Sequence, residues 1–198
     1  MNYLTEYCST ELNIKNSRFI AELFPVTSQM EARELLKMQK NKYADSTHVV
    51  HAFVIGKNAE ILGMSDDGEP SGTAGRPALD VLKGSNCTNV MLTVTRYFGG
   101  TLLGTGGLVK AYGDSCKEVL NLAFEKNFVK PLIKKCEFSF STDYTLYEKC
   151  KRLMSNFSIT DLFEEFETEI KIKGSIVETE FENFAKQLIE LSNGKITL

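Results

Sequence analysis

The chain has 198 residues and a formal net charge of −3, a size that accommodates one large domain or two small ones. Residues 1–130 carry as many basic as acidic side chains and residues 131–198 supply the whole deficit, so neither part is the strongly basic module expected of a protein that holds nucleic acid through phosphates. No apolar run is long enough to cross a bilayer and no secretory signal is visible, so we expect no membrane partner. The five cysteines are scattered, odd in number and without a Cys-x-x-Cys pair, and there are two histidines, so we expect reduced thiols, a cytoplasmic location and no zinc site.

The first 130 residues alternate between strand patterns and helical periodicity. Ser28 and Glu31 form a capping box that predicts the start of a helix, and the β-branched run over residues 90–97 is typical of an inner strand. Strands are predicted over residues 18–26, 47–55, 60–64 and 90–97, and helices over residues 29–40, 77–83 and 107–124. Residues 128–131 are interpreted as the connection between two domains.

Beyond residue 131 the predicted order is strand, helix, strand, strand, helix, strand, which is that of the ferredoxin-like split unit and indicates a domain boundary near this residue. The predicted strands cover residues 136–141, 158–163, 168–173 and 195–198, and the predicted helices cover residues 144–155 and 179–191. The acidic charge of this part does not favour RNA contact. Either it binds protein, or an RNA contact is confined to a few lysines such as Lys149, Lys151 and Lys171.

Two unusual runs stand out in the first part: SDDGEPSGTAG at residues 65–75 and TRYFGGTLLGTGGLVKAYG at residues 95–113. A chain seldom uses so many glycines, hydroxyls and carboxylates unless its backbone bends sharply or approaches something closely. With SRFIA at residues 17–21 and DSTH at residues 45–48, these runs resemble the YigZ/IMPACT family over nearly the whole chain. The family pattern usually has alanine at the position of Ser46.

The resemblance implies an α+β protein of two domains. Residues 1–130 would be similar in fold to the second domain of the fifth small-subunit ribosomal protein and to domain IV of elongation factor G, and residues 131–198 would form a ferredoxin-like β-α-β-β-α-β domain. The eukaryotic IMPACT branch acts in translational control by competing for an activator of a stress kinase. No RWD domain precedes the motifs here, so that kinase-pathway role is not carried over.

The 65–75 run combines three carboxylates with three hydroxyls. Asp66, Asp67 and Glu69 could hold magnesium or calcium through oxygen, or act as acid and base if one were desolvated. The same residue types also form turns by binding their own backbone. We favour an ordered loop tied down by such bonds, which assigns no metal.

The glycine-rich run that follows the strand over residues 90–97 could bind an anion such as a phosphate. Glycines bring backbone amides to one point, and a helix start adds free N–H donors and partial positive charge. Arg96 before the run and Lys110 in the helix could supply full charges. The run is not a Walker phosphate-binding loop, because the Gly-Lys-Ser/Thr ending is missing. The alternative interpretation is that the glycines permit tight packing between the sheet and the helix.

His48 and His51 lie three residues apart on a predicted strand, so they should point to opposite faces and cannot both bind one ion. Asp45 beside His48 could orient it as a base, although simple hydrogen bonding is the more common role of such a histidine. No cysteine or serine has a convincing nucleophilic setting, so we assign no catalytic residue and no cofactor.

We therefore expect a non-enzymatic protein that binds a ribosomal or translation-related partner through the two glycine-rich loops of its first domain. The alternatives are an enzyme or sensor that binds a phosphorylated small molecule at residues 99–107, and an RNA-binding module. The residues assigned to the partner- or anion-binding surface are His48, Asp66, Asp67, Glu69, Ser71, Thr73, Arg96, Tyr97, Gly99, Gly100, Gly104, Gly106, Gly107 and Lys110.

Overall fold

The computed structural model describes residues 1–198 and contains five helices and three β-sheets, which confirms the predicted α+β class. The chain divides into two units, Met1–Leu132 and Ile133–Leu198, each with a hydrophobic core of its own. No helix is both long enough and apolar enough to span a bilayer. All five cysteines are unpaired, and four of them are buried.

The first unit contains eight strands and three helices. They are β1 (Asn2–Leu4), β2 (Cys8–Ile14), β3 (Ser17–Pro25), α1 (Gln29–Lys42), β4 (His48–Ile55), β5 (Ile61–Ser65), α2 (Gly75–Gly84), β6 (Cys87–Thr88), β7 (Val90–Tyr97), α3 (Gly104–Glu125) and β8 (Val129–Pro131). The second unit contains β9 (Lys135–Thr142), α4 (Tyr144–Met154), β10 (Ile159–Phe166), β11 (Ile170–Val177) and α5 (Glu178–Leu191).

A five-stranded antiparallel sheet in the order β2-β3-β7-β4-β5 forms the centre of the first unit. Side chains alternate between the two faces of a strand. Ala52 and Leu92 therefore join the core under α2 and α3, whereas their neighbours Phe53 and Met91 pack with Ala32 of α1 on the other face. The sheet is covered on both faces, and this explains why β7 is buried almost throughout.

The predicted capping box is present at the start of α1. The hydroxyl of Ser28 accepts from the amide of Glu31 at 3.2 Å, and the Glu31 carboxylate accepts from the amide of Thr27 at 2.6 Å. The hydrogen bonds that the Glu31 carboxylate accepts, chiefly that from the Thr27 backbone, hold the pKa of Glu31 below its usual value. The helix runs to Lys42, two residues further than predicted, because the amide of Tyr43 still bonds to Gln39.

Residues 128–131, predicted to be a connection, include a strand. A small sheet in the order β6-β1-β8 pairs Asn2 with Cys87 in parallel and Leu4 with Val129 in antiparallel fashion. No element was predicted for residues 1–16 either. The strands of this sheet are two or three residues long, so their pairing depends on partners that are distant along the chain and leaves no periodicity in the sequence.

In the second unit, the strand that was predicted over residues 195–198 is wrong. The sheet of this unit has three strands in the order β10-β11-β9, and residues 195–198 form no strand. Asn193 and Gly194 both have positive φ, the turn places Ile196 in the core, and the Ile196 amide donates to the hydroxyl of Ser192 at 3.0 Å. The observed order is therefore β-α-β-β-α, because the terminal residues satisfy their backbone locally.

Candidate functional site

A cavity of about 430 Å³ lies in the first unit, between two loops that carry the unusual runs. The acidic loop (residues 66–74) connects β5 to α2, and the glycine loop (residues 98–103) connects β7 to α3. The residues that line this cavity are Thr47, His48, Gly68, Glu69, Pro70, Arg96, Phe98, Leu102, Leu103, Gly104, Thr105 and Leu108. We call it the signature cavity, because residues of both unusual runs, 65–75 and 95–113, line it.

Asp66 holds the acidic loop in place. Its carboxylate accepts from the backbone amides of Gly72 at 2.9 Å, Ala74 at 3.0 Å and Gly75 at 2.7 Å. Burial opposes ionisation, but the three backbone donors together keep the pKa of Asp66 below its usual value. Asp66 thus bonds to its own loop, as the turn-forming interpretation expects, and also satisfies the first amide of α2.

Asp67 connects the acidic loop to the sheet and to α1. It has a φ of 46°, its carboxylate accepts from the amide of Val49 at 2.7 Å, and it pairs with the ammonium of Lys40. Its carbonyl oxygen lies 2.8 Å from Nδ1 of His48. The two neighbouring aspartates therefore have structural partners inside the unit. No group of three or more histidine, cysteine, aspartate or glutamate side chains is arranged to hold a metal ion.

Glu69 is the centre of a buried polar cluster on the floor of the signature cavity. Its Oε1 accepts from Nη1 of Arg96 at 2.6 Å and from the hydroxyl of Tyr112 at 2.7 Å. Burial is the main reason that the pKa of the Tyr112 phenol lies far above its usual value, and the contact with Glu69 raises this pKa further. Tyr112 was predicted only as part of the buried stripe of α3, since helical periodicity shows which face is buried but not what a terminal hydroxyl contacts.

Arg96, which could have supplied a full positive charge to an anion, is paired inside the unit. Strand alternation places its side chain on the inner face of β7, where it is 6% exposed and its charge is matched by Glu69. Its neighbour Tyr97 points to the other face, under the guanidinium of Arg18, and donates to Asp45 at 2.9 Å. Tyr97 is therefore not brought into the signature cavity.

Asp45 does not orient His48, because its carboxylate accepts from Tyr97. His48 has the simple hydrogen-bonded role that the sequence favoured. His48 contacts the carbonyl of Asp67 through Nδ1, and its Nε2 lies 3.8 Å from Oε2 of Glu69. His51 lies on the opposite face, as predicted from the spacing, where burial lowers its pKa.

The glycines of the second run have different environments. A Cβ on Gly99 would come within 2.0 Å of the Asn16 backbone, so this glycine is required for close packing against the turn between β2 and β3. Gly100 and Gly104 have positive φ, which the bend into α3 requires. Gly106 has neither feature, and a Cβ there would meet no atom within 4 Å.

The start of α3 is open to solvent near the cavity. No side chain caps the helix and its first turn contains no acidic residue, so the partial positive charge of the helix start is not neutralised locally. Gly107 lies in this turn beside Leu103, whereas Lys110 is exposed and outside the cavity lining. In the acidic loop Ser71 is exposed, and Thr73 donates to the carbonyl of Pro70 at 2.6 Å.

Two sequence models of protein families match the chain. Residues 15–120 match the sequence model of the Impact N-terminal domain, and residues 140–195 match that of a domain of unknown function (DUF1949). IMPACT family member YvyE of Bacillus subtilis is 37% identical over 189 residues, with 93% of this chain and 83% of that protein covered. IMPACT family member YigZ of Escherichia coli is 31% identical over 187 residues, covering 93% of this chain and 90% of that protein.

The longer Protein IMPACT of Homo sapiens matches a smaller part, at 33% identity over 119 residues that cover 58% of this chain and 35% of that protein. Among solved structures, the crystal structure of a hypothetical protein superimposes with a TM-score of 0.63 at 28% identity, covering 99% of this chain and 94% of that one. The structure of the two-domain translational regulator Yih1 superimposes with a TM-score of 0.37 at 25% identity, covering 61% of this chain and 46% of that one. With both sequence models matched along most of its length and bacterial members at least 31% identical over 93% of it, the chain belongs to the YigZ/IMPACT family.

Proposed function

We propose that this chain is a non-enzymatic cytoplasmic protein of translational control that binds a ribosomal or translation-related protein through the signature cavity and its edge. The observation that carries the proposal is the meeting of the two unusual runs around one cavity, with Phe98 45% exposed and Leu102 83% exposed among its lining residues. Membership of the IMPACT family, whose eukaryotic branch acts in translation, supports the choice of partner class.

The physical properties of this surface suit a protein partner. A loop that is held by internal hydrogen bonds loses little conformational entropy when a partner binds to its side chains. The hydrogen bonds to Asp66 hold the acidic loop in this way. Exposed apolar side chains beside a cavity are typical of the centre of an interface. The Arg96–Glu69 pair leaves the cavity floor without net formal charge, which disfavours a phosphate-rich ligand.

Sedimentation of crosslinked cell extract through a sucrose gradient tests the proposal. We expect the tagged full-length chain to move with ribosomal particles or with a translation factor at low salt. Leu102→Asp should return it to the top of the gradient. Met38→Asp is the matched control, because Met38 is a similarly exposed side chain, 61% accessible, on α1 and outside the cavity lining.

Two results would count against the proposal: a wild-type chain that stays at the top after crosslinking, or equal behaviour of the two variants. Ribonuclease treatment before the gradient separates a protein contact from an RNA contact. An association that disappears with ribonuclease and falls steeply with salt would instead support the RNA-binding alternative.

A phosphorylated small molecule is the second candidate, favoured by the uncapped first turn of α3. With Arg96 paired to Glu69, the anion would rely on the helix amides and on Thr105 at the cavity. Thermal-shift measurements with nucleotides and sugar phosphates test this, since a ligand specific to the folded state raises Tm. A rise that Thr105→Val reduces would support it, and no rise with any anion would remove it.

The finer fold relationships are also proposals. The first unit would be similar to the second domain of the fifth small-subunit ribosomal protein and to domain IV of elongation factor G. The second unit would be a ferredoxin-like domain, although its β-α-β-β-α order lacks the final strand of that unit. The division into a domain of residues 1–130 and a domain of residues 131–198 is a proposal of the same kind.

A further inference from the structure

One carboxylate oxygen that lines the signature cavity accepts no hydrogen bond from the chain. Both donors that reach Glu69, from Arg96 and Tyr112, bind its Oε1. Its other oxygen, Oε2, lies 3.8 Å from Nε2 of His48, which is beyond hydrogen-bond distance, and Nδ1 of the same ring donates to the carbonyl of Asp67. An incoming N–H or O–H group is therefore the natural partner of Oε2.

The walls of the cavity determine what carries that donor. Five of its lining side chains are apolar, namely Pro70, Phe98, Leu102, Leu103 and Leu108. The volume of about 430 Å³ falls in the range of roughly 300–1,000 Å³ that is usual for ligand pockets. A group that fills such a space needs an apolar body with a polar tip, and the Phe98 ring offers an aromatic body a favourable edge or face contact.

The charges around the floor select an uncharged donor. Arg96 already matches Glu69 at 2.6 Å, and the open start of α3 adds partial positive charge. A lysine or arginine side chain would bring a second full positive charge beside Arg96. A carboxylate or phosphate would meet the Glu69 carboxylate and supply no hydrogen to it.

We infer that the signature cavity receives an aromatic side chain with an uncharged hydrogen-bond donor, that of a tyrosine or a tryptophan of the protein partner. The inference rests on the proposed function and specifies the chemistry by which the cavity recognises that partner. The hydroxyl or indole N–H donates to Oε2 of Glu69, and the ring packs against Phe98 and the leucines. Tyrosine and tryptophan are also the side chains most often found as anchors in protein interfaces.

Side-chain analogues test this on the full-length chain by NMR titration of the methyl groups of Leu102, Leu103 and Leu108. The probes are p-cresol for tyrosine, 3-methylindole for tryptophan, toluene as the donor-free match to p-cresol, and n-butylammonium for lysine. We expect p-cresol and 3-methylindole to shift these methyl signals. The p-cresol affinity should exceed that of toluene by about 5- to 10-fold, the value of one hydrogen bond.

Equal binding of toluene and p-cresol, tighter binding of n-butylammonium, or no shift with any probe would each overturn the inference. The comparison of p-cresol with toluene uses the unaltered chain, so it does not depend on any variant folding. The gradient experiment is read separately. Co-sedimentation that depends on Leu102 while no aromatic probe binds would leave the proposed function standing without this inference, and the opposite pattern would reject the function alone.

Discussion

At the scale of single residues, Glu69 connects the two halves of the candidate site. It comes from the acidic loop, yet its carboxylate pairs with Arg96 of β7 and with Tyr112 of α3. All three side chains are buried, so each depends on the others to compensate for the loss of hydration. The cluster therefore couples the position of the acidic loop to that of the sheet and of the helix.

Removing one charge of this cluster should be costly. Glu69→Gln leaves the Arg96 guanidinium buried without its counter-charge, and we expect the free energy of unfolding of the first unit to fall by about 3 kcal/mol or more. Arg96→Met should cost a similar amount. The double variant should recover part of the loss, because no unpaired charge then remains. Urea unfolding measures all three, and a single variant within about 0.5 kcal/mol of the unaltered chain would contradict the cluster's role.

The glycine loop offers a matched pair of substitutions. Gly99→Ala should destabilise the first unit, because its Cβ would lie 2.0 Å from the Asn16 backbone. Gly106→Ala should be neutral or stabilising by up to about 1 kcal/mol, because it lies within α3 and a Cβ there meets nothing within 4 Å. Thermal unfolding compares them. If both variants lost stability equally, packing at Asn16 would not be what Gly99 provides.

At the scale of elements, the acidic loop and the start of α2 form one hydrogen-bonded feature. Asp66 reaches from the end of β5 across the loop to the amides of Ala74 and Gly75, where α2 begins without a cap from its own N-cap residue. A carboxylate at this place satisfies free N–H groups and favourably meets the positive end of the helix.

The contribution of Asp66 should depend on pH in a defined direction. Its pKa in the folded chain lies below the ordinary value of 3.8, so its stabilisation is present above that pH and is lost as the pH falls through the folded pKa. Asp66→Asn should lower the free energy of unfolding at neutral pH by about 1 kcal/mol and flatten its fall in acid. Urea titrations at a series of pH values check this. Asp80→Asn, on the exposed side of α2, is the control and should change stability by less than about 0.5 kcal/mol.

Local signals in the sequence predicted most elements but not those set by distant contacts. Strand β7 was predicted at its observed bounds because a β-branched run buried on both faces has a strong pattern. The turn between β2 and β3 was missed, since Lys15 and Asn16 both adopt positive φ without the usual Asn-Gly pair. Helix α3 begins three residues before the predicted start, because Gly104 supplies the bend that leads into it.

The candidate site shows the same division between local and distant information. The two runs could be recognised from composition, and Asp66 follows the turn-forming behaviour of its residue type. The partners of Arg96, His48 and Tyr112 could not be predicted, because each contact joins residues that are at least 19 positions apart. Only the register of β7 beside β4 and the direction of α3 bring those side chains to Glu69.

At the scale of the whole molecule, the small sheet β6-β1-β8 decides where the first unit ends. Strand β8 follows α3 and pairs with β1 at the start of the chain, the amide of Thr5 donates to the Phe128 carbonyl at 2.8 Å, and that of Leu132 donates to Met1 at 2.9 Å. Leu4 of β1 belongs to the main core. The segment after α3 is therefore part of the first unit rather than a free linker.

We expect a fragment of residues 1–132 to fold alone, with a cooperative unfolding transition and dispersed NMR signals, because its two hydrophobic clusters lie wholly within it. A fragment of residues 1–127 loses β8, leaves one edge of β1 unpaired and removes the Phe128 carbonyl that accepts from the amide and the hydroxyl of Thr5. It should therefore be less stable by about 2 kcal/mol or more. Urea unfolding of the two fragments measures the difference. Equal stability would mean that the five-stranded sheet and its helices suffice without the small sheet. An unfolded 1–132 fragment would mean that the first unit needs residues 133–198, and the proposed domain division would then be wrong.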